Sequence, residues 1–295
     1  MTKIKVAVVQ AAPVFFNLEK SVEKVDRLTM EARQKGAQLV LFPESFLPCY
    51  PRGLGFGTVV GSRSDEGREQ WLLYWKNAVV VPGKITDQLG FIARQHEVFL
   101  AIGVTERSSK GGTLYCSLLY FSPAGTLIGH HRKIKPTGAE RIIWGEGNGS
   151  DLQVLQTPIG KVGGLICWEN YMPNARMKLY EQDVQIYLAP TADYRSSWQA
   201  SMQHIACEGR CFVLGCNQFV RKDMYPDALQ AALHNQPAIM CQGGSVIVSP
   251  LGEVLAGPLY GTEGTLFATL DLEEVIKSKM DFDAIGHYSW QETKR

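Results

Sequence analysis

The sequence predicts an α/β fold built on a mixed β-sheet, and two patterns lead to that prediction. Residues 5–10 read as an apolar strand, residues 17–35 have the apolar spacing of a helix, and residues 38–42 read as a second strand. Strand, helix and strand in this order form a βαβ unit, which makes part of the sheet parallel. Residues 113–121 and 126–131 flank a turn rich in Pro and Gly, so a hairpin adds antiparallel pairing.

The later segments continue this alternation. Predicted helices span residues 64–77, 85–96, 173–180, 198–209 and 271–280, and predicted strands span residues 98–104, 163–166, 185–189 and 211–216. Residues 243–250 and 264–270 are expected to pair as a hairpin. Residues 220–242 show little periodicity and are expected to form a surface excursion. Because no linker or repeat divides the chain, we expect one domain over residues 1–295, with a short tail from about residue 282.

Composition argues against several classes of function. The chain has 30 Lys and Arg, 29 Asp and Glu, and a net charge of +1, so neither nucleic acid nor a membrane surface is an expected partner. No segment approaches the ~18 apolar residues of a membrane span. The sequence starts directly in a strand rather than in a secretion signal. Seven irregularly spaced cysteines are typical of reduced thiols, so we expect a globular, cytoplasmic protein.

Residues 162–170 form the most informative stretch. An apolar strand leads directly into Cys167, and a helix begins soon afterwards at Pro173. A side chain on such a sharp turn points out of the sheet, as in a nucleophile elbow. The nearby helix N-terminus is expected to favour the thiolate. The alternative is that Cys167 is a small core residue, which is the commoner place for a lone cysteine.

Two charged residues also follow predicted strands. Glu44 stands between apolar residues at the carboxyl end of its strand, where burial would raise its pKa and suit it to acid–base work. Lys133 stands among basic residues after the hairpin. Either residue could instead be an ordinary loop or strand-end charge. If the strand ends meet at one sheet edge, Glu44, Lys133 and Cys167 supply a base, an ammonium group and a nucleophile suited to a carbon–nitrogen centre.

Three motifs surround these residues, namely Phe42-Pro-Glu-Ser-Phe46, His131-Arg-Lys-Ile-Lys-Pro-Thr137 and Gly164-Leu-Ile-Cys-Trp-Glu-Asn-Tyr171. Because of these three motifs, the chain resembles the nitrilase, or carbon–nitrogen hydrolase, superfamily. The resemblance extends from about residue 5 to residue 288. Other segments resemble its true nitrilase branch. They are Tyr50-Pro-Arg-Gly53, Glu140-Arg-Ile-Ile-Trp-Gly-Glu-Gly147, Cys167-Trp-Glu-Asn-Tyr-Met-Pro173, Glu208-Gly-Arg-Cys-Phe-Val213 and Phe282-Asp-Ala-Ile-Gly-His-Tyr288.

The resemblance implies a four-layer α-β-β-α sandwich, two of which pair into an α-β-β-α-α-β-β-α homodimer. In many members such dimers extend into larger spirals. It also implies hydrolysis of a small organic nitrile to a carboxylic acid and ammonia, through a Cys thioimidate and without a cofactor or metal. By the same resemblance, Cys167 is the nucleophile and Glu44 the general base. Lys133 and the backbone N–H of Trp168 stabilise the tetrahedral species, and Glu140 positions Lys133 and the substrate.

A pocket lined by aromatic side chains is expected, because several residues adjoin the catalytic loops. The candidate substrate-binding residues are Tyr50, Trp144, Trp168, Pro190, Thr191 and Tyr194. Each could equally be a core residue. These candidate residues do not indicate whether the substrate is an aliphatic, an aromatic or an arylaliphatic nitrile.

Other functions remain open at the level of the sequence. An amidase or N-carbamoyl hydrolase of the same superfamily would use the same Glu, Lys and Cys. An inactive scaffold, or a protein that binds metal, represents a different class. The candidate metal ligands are His130, His131, His204, Cys207, Cys211 and Cys216. Helix-face packing explains the last four without a metal, so no metal site is expected.

Overall fold

The computed structural model describes residues 3–290, and in that range the strands form two mixed seven-stranded sheets. The first contains β1 (Lys3–Gln10), β2 (Leu39–Leu41), β3 (Val79–Val80), β4 (Phe99–Arg107), β5 (Leu114–Phe121), β6 (Leu127–Arg132) and β14 (Gly264–Asp271). Its order is β14-β1-β2-β4-β5-β6, and β3 pairs with β4. The parallel pairs β1–β2 and β2–β4 confirm the predicted βαβ unit, and the antiparallel β5–β6 pair confirms the hairpin.

The second sheet contains β7 (Leu155–Thr157), β8 (Gly160–Gly164), β9 (Ile186–Pro190), β10 (Phe212–Cys216), β11 (Phe219–Arg221), β12 (Ile239–Val248) and β13 (Val254–Tyr260). Its order is β11-β12-β10-β9-β8-β7, and β13 pairs with β12. Strands β8, β9 and β10 are parallel, so their carboxyl ends lie at the same edge of the sheet.

The helices are α1 (Leu18–Gln34), α2 (Asp65–Asn77), α3 (Lys84–Gln95), α4 (Pro173–Tyr180), α5 (Ser196–Gly209), α6 (Asp227–Gln230) and α7 (Glu273–Ser278). Side-chain caps and a proline fix where several of these helices begin. The side chain of Asn17 accepts a hydrogen bond from the backbone N–H of Lys20 and caps α1, and Ser64 caps α2 through the N–H of Gly67. Pro173 occupies the first turn of α4, where its missing N–H costs nothing.

Three buried apolar clusters define the layers of the fold. The first lies between the sheets and joins Val6 of one to Leu188 of the other. The second packs α1 and α3 on the outer face of the first sheet, with Val25 at its centre. The third packs α4 and α5, including the buried Trp198, on the outer face of the second sheet. The order of layers is therefore helices, sheet, sheet, helices, which confirms the expected α-β-β-α sandwich.

Two sequence expectations were wrong. The strand at residues 264–270 does not form a hairpin with residues 243–250, because β14 runs antiparallel to β1 in the other sheet, from Lys3 opposite Asp271 to Gln10 opposite Gly264. The hairpin partner of β12 is instead β13. Residues 220–242 are not a surface excursion either, because they include β11 and α6 and bury Leu229 and Leu233.

Two expectations concern the ends of the chain and membranes. The predicted tail is described only from residue 282 to residue 290, and its last residues, 291–295, lie outside the described range. Among the described helices, none has the length and apolar character that crossing a membrane requires.

Candidate active site

The structure brings together three residues that each follow a strand. Glu44 lies just beyond β2, Lys133 directly after β6, and Cys167 three residues after β8. The Lys133 Nζ donates hydrogen bonds to Oε1 of Glu44 at 2.6 Å and to Oε2 of Glu140 at 2.7 Å. Lys133 and Glu44 are fully buried, and Cys167 is 4 % exposed. A thiol, an ammonium group and two carboxylates therefore share one buried cluster.

Cys167 occupies a turn that the surrounding residues hold in an unusual conformation. Its φ is +51°, a left-handed value that costs energy for a residue with a Cβ. It begins a short 3₁₀ helix, Cys167–Tyr171, that leads into α4. The side-chain amide of Asn170 donates to the carbonyl oxygens of Leu165 and Cys167, at 2.9 and 2.8 Å. Asn170 in turn accepts a hydrogen bond from Tyr187 at 2.8 Å, so the turn is fixed from within the fold.

The Cys167 thiol is neutral at rest, so the expected thiolate was wrong. Burial raises the pKa of Cys167 well above its ordinary value, the charge of Glu44 raises it further, and Lys133 opposes this only in part. The hydroxyl of Thr191 donates to Sγ at 3.2 Å. A helix N-terminus made of one short 3₁₀ segment does not offset the loss of water around the thiol. Attack by this sulfur therefore requires a base.

Glu44 has the environment of such a base. Burial raises its pKa and nearby Glu140 adds to this, whereas Lys133 and the thiol of Cys167 act in the opposite direction, leaving the pKa above its ordinary value. Its Oε1 is held by Lys133, and its Oε2 is buried without a nitrogen or oxygen donor in the described part of the chain. A carboxyl group with one fixed oxygen, one unoccupied oxygen and a raised pKa can accept and return a proton.

Lys133 stays protonated despite its burial. Desolvation lowers its pKa, but the charges of Glu44 and Glu140 outweigh that cost and raise the pKa well above its ordinary value. Glu140 is itself fixed by the Tyr50 hydroxyl at 2.7 Å and by the backbone N–H of Thr137 at 2.7 Å. The ammonium group is therefore fixed in position and charged.

A third buried carboxylate, that of Glu169, connects the Lys133 and Cys167 loops, and sequence reasoning left it without a role. Glu169 accepts hydrogen bonds from the backbone N–H groups of Ile134 at 2.6 Å and Ile166 at 2.7 Å. These residues adjoin Lys133 and Cys167, respectively. Glu169 is also 3.1 Å from the Nε2 of His131, whose Nδ1 lies 2.9 Å from Asp151. The motifs around His131 and Cys167 contained this signal, but only the fold shows that the two segments meet.

The His131 contacts predict a dependence of stability on pH. Burial lowers the pKa of His131, but Glu169 and Asp151 outweigh it and raise the pKa from 6.5 to about 9. Between these values the folded state binds a proton that the unfolded state has lost. The stabilisation is therefore complete below pH 6.5 and is lost as the pH rises through about 9, with a size of up to about 3 kcal/mol.

Urea unfolding at pH 6.5 and pH 9.5 measures this difference in wild type and in His131→Gln. We expect the free energy of unfolding to fall between these pH values in wild type and to fall clearly less in the variant. An equal fall in both proteins would assign the effect to other groups.

A cavity of about 290 Å³ has Cys167 among its lining residues. Its lining residues are Tyr50, Arg52, Thr137, Glu140, Cys167, Trp168, Ala192, Asp193, Tyr194 and Arg195. Three expected substrate-binding residues, Tyr50, Trp168 and Tyr194, are thus on its wall. The other three are not. Thr191 lies behind the thiol, Trp144 is buried with its ring edge-on to Tyr50 at 5.7 Å, and Pro190 is paired inside the sheet with Cys216.

Sequence reasoning did not assign three of the charged residues of this wall. Arg52 comes from the irregular loop after β2, and Asp193 and Arg195 come from the loop after β9. Asp193 accepts from the indole N–H of Trp168 at 2.8 Å and from Nε of Arg195 at 2.9 Å. The segment Tyr50–Gly53 was part of the branch-specific resemblance, but nothing in it showed that Arg52 lines the same cavity as Cys167.

The side chains considered for a metal do not converge. Cys211 packs among the helices outside β10, whereas Cys216 packs between the sheets, so they belong to opposite faces. His204 is exposed on α5. His130 contacts Glu106, and His131 contacts Asp151 and Glu169. Within residues 3–290, no three His, Cys, Asp or Glu side chains form a candidate metal site.

Comparison with known proteins agrees with this geometry. The family model described as carbon-nitrogen hydrolase matches residues 5–280. The chain is 48 % identical to an aliphatic nitrilase of Sinorhizobium fredii, over 98 % of this chain and 93 % of that protein. It is also 48 % identical to a bifunctional nitrilase/nitrile hydratase of Lupinus angustifolius, over 97 % and 83 % of the two chains. The fold matches Saccharomyces cerevisiae Nit3, a member of branch 10 of the nitrilase superfamily, with a TM-score of 0.73, 21 % identity and coverage of 98 % and 97 %.

Proposed function

The chain belongs to the carbon–nitrogen hydrolase family, and from that premise we propose that it is a nitrilase acting through Cys167, Glu44 and Lys133. A nitrilase converts an organic nitrile and two water molecules into a carboxylic acid and ammonia. The observation that most supports these roles is the buried cluster in which a neutral thiol lies beside an acceptor carboxylate and a fixed ammonium group.

In the first step, the sulfur of Cys167 attacks the nitrile carbon while Glu44 takes the thiol proton. One bond of the C≡N group opens, and its electron pair moves to the nitrogen, which Glu44 then protonates. The product is a covalent thioimidate. Lys133 and the backbone N–H of Trp168 stabilise the negative charge that develops on the nitrogen.

Water completes the reaction in two further steps. Glu44 activates a water molecule that attacks the thioimidate carbon, and the C–N bond of the tetrahedral species breaks to release ammonia. The remaining thioester on Cys167 is attacked by a second water, which breaks the C–S bond and restores the thiol. If the C–S bond breaks first in the tetrahedral species, the product is an amide, so we propose amide as a minor product.

Glu140 is proposed to position Lys133 rather than to transfer protons. Its two oxygens are already occupied by Tyr50, Thr137 and Lys133. Tyr50 also lines the cavity, so its hydrogen bond to Glu140 connects the substrate pocket to the residue that positions the catalytic ammonium group. No cofactor is required by any step of this mechanism.

Incubation of the purified protein with a panel of nitriles and their matching amides tests the activity. We expect ammonia from the nitriles, little turnover of the amides and, under single-turnover conditions, a mass increase that peptide mapping assigns to Cys167. Turnover of amides alone would identify an amidase. The absence of ammonia and of any adduct on Cys167 would refute the proposal.

We further propose a single carbon–nitrogen hydrolase domain over residues 1–295, with a homodimer as its building block and larger spirals as an extension of it. Sedimentation velocity measures the assembly directly, and a monomer at micromolar concentration would contradict the dimer.

A cytoplasmic location is proposed because all seven cysteines are free thiols and five of them besides Cys167 are buried.

A further inference from the structure

Arg52 is fixed against the wall of the cavity that contains Cys167. Its guanidinium group lies between two aromatic rings, 5.3 Å from the centre of Tyr50 and 5.2 Å from that of Tyr194. It also donates a hydrogen bond to the carbonyl oxygen of Ala192. The backbone carbonyl of Arg52 accepts a hydrogen bond from Tyr225 at 3.0 Å. The side chain is therefore held in one orientation at both ends.

The charge of Arg52 is not balanced by a carboxylate in the described part of the chain. The titratable groups that interact with it most strongly are Cys241, Tyr50, Tyr225 and Tyr194, all of which are uncharged at neutral pH. Its Nε is buried and has no hydrogen-bond partner among the described residues. Such a buried N–H costs free energy unless a ligand or a water molecule accepts its hydrogen bond.

The other cations at this site are already paired. Lys133 lies between Glu44 and Glu140, and Arg195 lines the same cavity but forms an ion pair with Asp193. Arg52 is thus the cation of the cavity wall that has an unused donor and an uncompensated charge. A rigid, planar guanidinium group is suited to a carboxylate, which accepts hydrogen bonds in the same plane.

We propose that Arg52 binds a carboxylate at the far end of the substrate, so that the preferred nitriles are short ω-cyanocarboxylates. This inference rests on the proposed nitrilase function, because it places the nitrile carbon at Cys167 and the acid at Arg52. The cavity volume of about 290 Å³ suits a short chain between the two groups. Tyr50 and Tyr194 hold the guanidinium group, and the chain of the substrate lies along the aromatic wall.

The test compares two nitriles of the same shape. One is 4-cyanobutyrate. The other is 5-oxohexanenitrile, in which a methyl ketone group stands in place of the carboxylate. In wild type we expect the acid to have the higher kcat/KM. In Arg52→Gln the acid-to-ketone ratio of kcat/KM should fall about 10- to 100-fold, since a charge-assisted hydrogen bond is lost. Arg52→Lys should retain part of the ratio.

Arg195→Gln is the matched control, because Arg195 lines the same cavity with its charge already neutralised by Asp193. We expect a much smaller change of the acid-to-ketone ratio in that variant. Equal losses with both nitriles in Arg52→Gln would show that Arg52 only supports the loop, and this would overturn the inference. A wild-type preference for the ketone would overturn it as well.

Calorimetric titration of Cys167→Ala with the cyano acid separates this inference from the proposed function. Binding that Arg52→Gln weakens about 10-fold or more, without ammonia release by the wild-type enzyme, would support the acid site and refute nitrile hydrolysis. Ammonia release from the ketone without acid binding would support the nitrilase function and refute the acid site.

Discussion

Replacing Cys167 with alanine is expected to reduce nitrile turnover by at least about 10³-fold while the protein remains folded, because no other cysteine is among the described residues that line the cavity. Alanine keeps a Cβ, so the left-handed backbone at this turn is no more strained than before. Removing one sulfur atom from a buried site costs about 1 kcal/mol of folding stability. Ammonia release and the urea unfolding midpoint, measured on the same preparation, separate the two effects.

Cys211→Ala is the matched control for this experiment. Cys211 is equally buried, but it packs in the apolar cluster outside the second sheet, away from Lys133 and Glu44. We expect a similar small loss of stability with nitrile turnover retained. If Cys167→Ala kept more than about a tenth of wild-type turnover, the thioimidate mechanism would be untenable.

That Glu44, Lys133 and Cys167 each follow a strand could be predicted, because each strand has a clear local signal. The expectation that they meet at one sheet edge was wrong, because β2 and β6 belong to the first sheet and β8 to the second. Apolar runs, turn residues and the βαβ order define such strands without knowledge of the rest of the chain. The pairing of β14 with β1 could not be predicted in this way. It joins Lys3 to Asp271, and the adjacent β12 offered a hairpin partner much closer in sequence.

The charge state of Cys167 shows a second limit of sequence reasoning. Proximity to a helix N-terminus is visible in the sequence and favours a thiolate. Burial and the charge of Glu44 depend on the packing of both sheets, and these two effects determine the raised pKa. The hydrogen bonds from the backbone N–H groups of Ile134 and Ile166 to Glu169 could not be predicted for the same reason. They join segments that are far apart in the chain.

Lys133→Met is expected to reduce kcat/KM by about 10²- to 10³-fold or more, because it removes the fixed positive charge that stabilises the reacting nitrogen. It should also destabilise the fold by about 3–5 kcal/mol at neutral pH, since Glu44 and Glu140 are left buried without a cation. In the variant, the folded-state pKa of Glu44 should rise further above its unfolded value. Its stability should therefore recover as the pH falls, because the folded state then binds the additional proton.

The double variant Glu44→Gln/Lys133→Met tests whether this loss comes from the unpaired charge. Removing both partners of a buried ion pair is expected to restore part of the stability, since no carboxylate remains unpaired at Glu44. Glu140 keeps its hydrogen bonds from Tyr50 and Thr137. Activity should not recover with stability, because the double variant lacks both the base and the cation. Urea unfolding of the four proteins of the cycle gives the coupling energy, and a double variant no more stable than Lys133→Met would show that the two residues do not stabilise each other as their 2.6 Å contact indicates.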